Sequence, residues 1–261
     1  MIYLLTLVLK PRNDIIHKTV SGQQINRMPK KLEIAIEKLY KTFAVYPFKS
    51  TIEGCPCCVS GSDKEKIHSK QLKELEEDDL SRYAFKAIST WGNIEDFKHY
   101  LPRIFELLST TDFIVDTFVV LGKLEYGDWK TWPDNEQKAI NDFLLTWWQD
   151  LIKSKSYFDL EAFIEIYKLT GSIDEILLRW TIDFNNNSFV NYIELVQDYY
   201  SDLCRKRNDF KELKEKDADK LLTWIRSNSE FFESGFFHFD KTDKDMAEKI
   251  SNTQYIYERT K

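Results

Sequence analysis

The chain has 261 residues, of which 43% are hydrophobic, 31% charged and 15% aromatic, and its formal net charge is −6. Its 8 Gly and 6 Pro make up about 5% of the chain, against roughly 12% in ordinary usage, which excludes collagen-like, linker-like and turn-rich sheet compositions. The 18 Phe, 13 Tyr and 7 Trp exclude a disordered chain, because so much bulky apolar surface collapses in water.

Charge is unevenly placed. Residues 1–50 carry nine cations and three anions, so residues 51–261 carry a net of −12. An acidic body repels phosphate backbones, which disfavours a nucleic-acid partner. Few cysteines and no export signal point to a reducing cytoplasm.

The first segment, MIYLLTLVLK, has a nine-residue apolar run where a membrane span needs about 20. No basic residue precedes it, no small-x-small cleavage site follows, and Lys10-Pro11-Arg12 ends it. Residues 1–27 are therefore expected as an extension outside the core, with Met28-Pro29-Lys30-Lys31 as an alternative start.

From residue 31 the apolar residues recur at i, i+3, i+4 and i+7, the period of a helix with one buried face. Leu32 to Phe43 fits, then Leu80 to Trp91 closed by Gly92, then Ile94 to Leu108 with Asn93 as N-cap. Pro102 lies inside the third segment and is expected to kink or split it. Further helices are expected over Phe113–Leu124, 134–153, Leu160–Leu169, Ile173–Trp180 across Gly171, Phe189–Leu203 and around Leu221–Ile225. The reading is all-α: about ten helices in one domain over 28–240, stacked antiparallel as HEAT-like units or as an irregular bundle. Residues 241–261 read as a polar, frayed tail in which Tyr255, Ile256 and Tyr257 could dock.

The long connection 47–68 carries Gly54-Cys55-Pro56-Cys57-Cys58, with His68 ten residues further on. Three thiolates and one imidazole make a tetrahedral zinc set, Cys55, Cys57, Cys58 and His68, whose binding would help order the loop. Adjacent Cys57 and Cys58 are awkward donors to one ion, and the alternatives are an exposed thiol pair for redox or metal sensing, or small side chains tucking the loop onto the core. Cys204 is expected to fill core or groove space.

On the helix after Asn93, the residues Asp96, His99, Arg103 and Glu106 share one side, opposite the apolar stripe. They form either a partner-binding, proton-handling face or a solvated face of i, i+3 and i, i+4 pairs. Trp129, Trp132, Trp147 and Trp148 stand among Asp128, Asp134, Glu136 and Asp150; the choice is core anchors or a sugar-binding cleft with an acid/base pair. Phe231 to Phe239 holds five Phe in nine residues, which cap the core or form a contact patch. Phosphate loops, dinucleotide fingerprints, HExxH helices and nucleophile elbows are absent.

Leu101-Pro102-Arg103-Ile104-Phe105-Glu106-Leu107-Leu108, followed by Phe113-Ile114-Val115-Asp116 and Leu121-Gly122-Lys123-Leu124, resembles one HEAT unit. It covers about 30 residues and does not recur at the spacing that arrays require. The Gly54–Cys58 stretch, Leu80–Ala87 and Trp91–Arg103 resemble a group of uncharacterised bacterial proteins, which implies a bacterial setting and no activity. The function expected is a non-enzymatic helical protein-interaction module, an adaptor or immunity-type protein whose acidic surface steers a basic partner. The alternative is an enzyme on a helical-repeat scaffold acting on a nucleobase or glycosidic bond.

Overall fold

The computed structural model describes residues 28–111, 113–205 and 210–260; the expected extension over 1–27 lies outside them. The described residues are all-α. They contain no strand, only two isolated bridges, Gly54 with Trp91 and Ala87 with Trp91.

Helix α1 (Lys30–Phe43) buries Leu32, Ala35, Ile36, Leu39 and Phe43, the stripe its period dictates. The connection to the next long helix, expected as open loop, contains α2 (Gly61–Ile67). Ser60 opens it with a capping box: its hydroxyl accepts from the Asp63 N–H while Asp63 accepts from the Ser60 N–H. Helix α3 (Glu77–Lys86) ends sooner than the apolar spacing suggests. Ile88 sits at φ 66°, a left-handed conformation that a β-branched residue adopts only under outside constraint. The Thr90 and Trp91 N–H groups both donate to the Lys86 carbonyl. Trp91 is thus fully buried, but from a tight loop and not from a helix.

Helix α4 (Ile94–Thr110) begins at the expected cap, where Asn93 and Asp96 accept each other's backbone N–H at 3.0 and 2.9 Å. It runs unbroken through Pro102, so the proline does not split it. Helix α5 (Thr117–Tyr126) starts four residues later than expected and stops at Gly127. Helix α6 (Asp134–Ser154) is the longest. It lies against α1 and meets α4 through Lys98 and Glu136 and through Phe105, Phe143 and Trp147, stacked in series at centroid distances of 5.1 and 6.0 Å. Helix α1 packs chiefly on α6 and α4.

Helix α7 (Leu160–Thr170) ends at Gly171, at φ 69°, and α8 (Ile173–Leu178) restarts from the Ser172 cap. Trp180 follows α8 and packs on Trp148, Phe158 and Trp224 at 5.0–5.6 Å. Helix α9 (Ser188–Glu194) continues through a π-helical turn (Leu195–Tyr199) into α10 (Tyr200–Cys204). The extra residue in that turn shifts the buried stripe, and Leu195, Val196 and Tyr200 all stay inside.

Helices α11 (Glu215–Ser227) and α12 (Glu230–Phe239) follow. The phenylalanine run is α12, and most of it caps the core: Phe232 is buried, Phe231, Phe236 and Phe239 are partly buried, and Phe237 alone of the five is largely exposed. Residues 244–260, within the segment expected as a polar tail over 241–261, are helical. They form α13 (Lys244–Thr260), packed on α12, with Ala247, Ile250, Thr253 and Tyr257 buried. Tyr257 stacks near Tyr200 and Phe232 at 5.1 and 5.2 Å. A single core cluster runs from Leu32 to Tyr257.

Candidate metal centre and interaction cleft

The cysteine loop is held at both edges by the chain that supports it. The Cys55 N–H donates to the Thr90 carbonyl at 2.8 Å, and the Gly92 N–H to the Glu53 carbonyl at 2.7 Å. Within the loop, Cys58 and Val59 both donate to the Cys55 carbonyl, closing a tight turn over Pro56 and Cys57. A Cβ at Gly54, at its entrance, would lie 3.1–3.2 Å from Val59 and the Trp91 ring, a tight fit.

This turn brings Sγ of Cys57 to 2.8 Å from Cys55 and 3.6 Å from Cys58. All three sulfurs lie within 4.8 Å of one another, a group that could hold a metal ion. Cys57 is exposed and its neighbours are half-buried. Hydrogen bonds from Cys57, and then from Cys58, pull the Cys55 thiol below its ordinary range. The same bonds to Cys55 and Cys58 push Cys57 up to about 11. Beside the loop three buried polar atoms have no hydrogen-bond partner among the described residues: Tyr83 Oη, Thr90 Oγ1 and Trp91 Nε1. Burial, with Asp96 and Tyr100 nearby, raises the Tyr83 phenol far above its usual range.

Of the expected zinc set, Cys55, Cys57 and Cys58 lie together, and His68 lies outside that group. It terminates α2, with Nδ1 2.6 Å from the Lys64 carbonyl and Nε2 3.0 Å from the Lys49 carbonyl, so both ring nitrogens are engaged. The intervening residues wind into seven residues of helix, about 10 Å of rise, instead of folding back on the thiols.

Asp96, His99, Arg103 and Glu106 do share one side of α4, but that side is partly covered. Lys49 pairs with Asp96 at 2.8 Å, His99 Nδ1 meets the Tyr46 carbonyl at 2.9 Å, and Arg103 Nε donates to the Leu75 carbonyl at 2.7 Å. Arg103 also pairs with Glu106 at 2.7 Å, and Tyr40 donates to the same carboxylate at 2.6 Å. The long connection after α1 packs against part of this side, where its carbonyls need donors, while His99, Arg103 and Glu106 stay half-buried.

Trp129, Trp132, Trp147 and Trp148 are buried, as core anchors are. Trp132 and Trp148 donate their indole N–H to the carbonyls of Gly127 and Ile176. Cys204 packs against the core.

The polar cleft that sequence reasoning missed lies between the end of α4, the start of α5, the end of α6 and the start of α7. It encloses about 610 Å³. Asp116, Asp150, Asp159 and Glu161 line it with one cation, Lys155, which pairs with Asp159 at 2.6 Å. Two of these carboxylates hold helix starts: Asp159 accepts from the Ala162 N–H and Glu161 from the Phe118 N–H. Asp150 is held above its ordinary range by burial, opposed by Lys153. A neighbouring hollow of about 400 Å³ shares Ser109, Asp150 and Ser154 and extends the cleft to Met28 and Leu32. Tyr157, 51% exposed, lines it, and Ile114 at 78% and Phe118 at 51% are exposed next in sequence to the lining residues Phe113, Val115 and Thr117. The signal available in sequence was Asp116, an N-cap residue type that breaks the apparent Phe113–Leu124 helix.

No protein-family model, curated protein or solved structure matches the chain. Among the described residues no helix is long and apolar enough to cross a membrane.

Proposed function

We propose that this chain is a non-enzymatic, cytoplasmic helical module of the adaptor or immunity type, and that a protein partner occupies the α4–α7 cleft. The observation that carries the reading is a cleft whose charged lining is mostly carboxylate and includes exposed Tyr157, with Ile114 and Phe118 exposed on the same 113–118 segment that supplies part of that lining. Apolar anchors provide affinity, while the excess of carboxylates selects and steers a cationic segment. The fitting ligand is a partner segment with Lys or Arg beside bulky apolar residues. Zinc on the cysteine loop would need a fourth ligand, which a docked partner could bring.

The test is capture of the partner from the native host by the full chain, by Ile114→Asp with Asp116→Lys, and by Leu178→Asp. Leu178 is just as exposed but lies away from the cleft on α8. The reading expects a partner retained by the wild type and Leu178→Asp and lost by the cleft variant. Equal retention by all three, or no retained partner, overturns it.

The raised carboxyl of Asp150, half-buried in a cleft that Trp147 also lines, is the observation that favours the alternative of glycosidic-bond hydrolysis. An Asp150→Asn variant that abolished hydrolysis of nucleoside or glycoside substrates by the chain would replace the first reading.

A further inference from the structure

We propose that Cys55, Cys57 and Cys58 form an exchangeable three-coordinate site for a soft monovalent ion, Cu(I), and not a closed structural zinc site. The donor set is entirely thiol sulfur, and soft sulfur donors select Cu(I) among the ions that oxygen and nitrogen ligands would otherwise capture. The number of donors then decides between Cu(I) and zinc. Structural zinc is four-coordinate, and the histidine nearest in sequence has both ring nitrogens on backbone carbonyls of Lys64 and Lys49. No other His, Asp or Glu of the described residues joins the three sulfurs.

The spacing fits. With metal–sulfur bonds of about 2.3 Å, three sulfurs in a trigonal plane sit about 4 Å apart. The 2.8 and 3.6 Å contacts, and the 4.8 Å limit on all three pairs, bracket that value. Ion entry therefore needs the Cys55 and Cys57 sulfurs to part by about 1.2 Å and no rebuilding of the turn, which the bonds from Cys58 and Val59 to the Cys55 carbonyl already fix. Binding one Cu(I) displaces the three S–H protons and leaves two negative charges on the complex. Arg82, which donates to the Cys58 carbonyl at 3.1 Å, places a cation beside it. Exposure of Cys57 leaves the ion open on that side to an incoming thiolate, which bonds to Cu(I) as the Cys57 thiolate leaves, so the ion can pass by ligand exchange instead of being sealed in.

The inference does not depend on the cleft and stands if no partner is found there. The test is titration of the reduced full-length chain, without oxygen, with Cu(I) in competition with bathocuproine disulfonate, and with Zn(II) in competition with a chromogenic chelator. One Cu(I) withdrawn per chain is expected, with three sulfur neighbours by X-ray absorption. Cys57→Ser, at an exposed position, should lose the ion while keeping the helical circular dichroism. His68→Ala should keep the ion. Failure to withdraw Cu(I), retention of Cu(I) by Cys57→Ser at wild-type affinity, or one zinc held in preference to Cu(I) and weakened by His68→Ala overturns the proposal.

Discussion

Lys98 and Glu136 form an ion pair at 2.7 Å with side chains only 7% and 3% exposed, one on α4 and the other on α6. Tyr46 closes the group, donating to Glu136 at 2.6 Å and accepting from Lys98 at 3.0 Å. The ammonium also lies 4.1 Å from the Trp132 ring centroid. Removing one charge strands the other in the interior, at a cost of about 3–5 kcal/mol. Lys98→Met and Glu136→Leu should each lower the unfolding free energy measured by urea titration by that amount, and the double variant should recover most of it. A double variant as unstable as the sum of the singles contradicts the pairing.

Gly235 on α12 is there because Phe189 of α9 leaves no room. A Cβ at that position would lie 2.3 Å from the Phe189 ring. Gly235→Ala, which ordinarily favours a helix, is expected to destabilise by about 1–3 kcal/mol through overpacking. Combination with Phe189→Leu should cost less than the two changes added. A melting temperature for Gly235→Ala at or above wild type would contradict the contact.

The carboxyl of Asp150 loses a proton less readily in the folded chain than in the unfolded one, because burial disfavours its anion. Ionisation therefore subtracts stability above its folded pKa, and the penalty disappears below the unfolded value of about 3.9. Asp150→Asn should be more stable than wild type at neutral pH, with the gain vanishing as the pH falls below about 4. A gain that is independent of pH would show that the carboxyl is not desolvated.

Among the three loop thiols, Cys55 is held below its ordinary range and Cys57 is raised to about 11. Near pH 7.5 iodoacetamide should label Cys55 before the more exposed Cys57, since the thiolate is the nucleophile. Mass spectrometry of a time course reads the order directly. First labelling at Cys57 would mean that exposure alone governs reactivity.

The fold was legible where one helix face alone is buried: the Leu32–Phe43 stripe, the Asn93 cap and the Gly171 stop all stand where their residue types put them. Sequence reasoning failed where tertiary contacts override local period. Trp91 continues the α3 stripe but is buried from a strained turn at Ile88. Asp96, His99, Arg103 and Glu106 lie on the polar side of α4, but a helical wheel does not reveal that the connection after α1 needs donors there. The α13 stripe of Ala247, Ile250, Thr253 and Tyr257 is weak in apolar content, which made it read as a tail. The three-thiol cluster was visible as a motif because adjacency in sequence alone brings it together. The cleft was not, because it is assembled from the ends of four helices.

The most direct test of the cleft as the working surface is hydrogen–deuterium exchange of the full chain, free and bound to the captured partner. Slowed exchange concentrated in residues 109–118 and 147–161 is the result this account predicts. Unchanged exchange there, with protection on α11–α13 or nowhere, would contradict it.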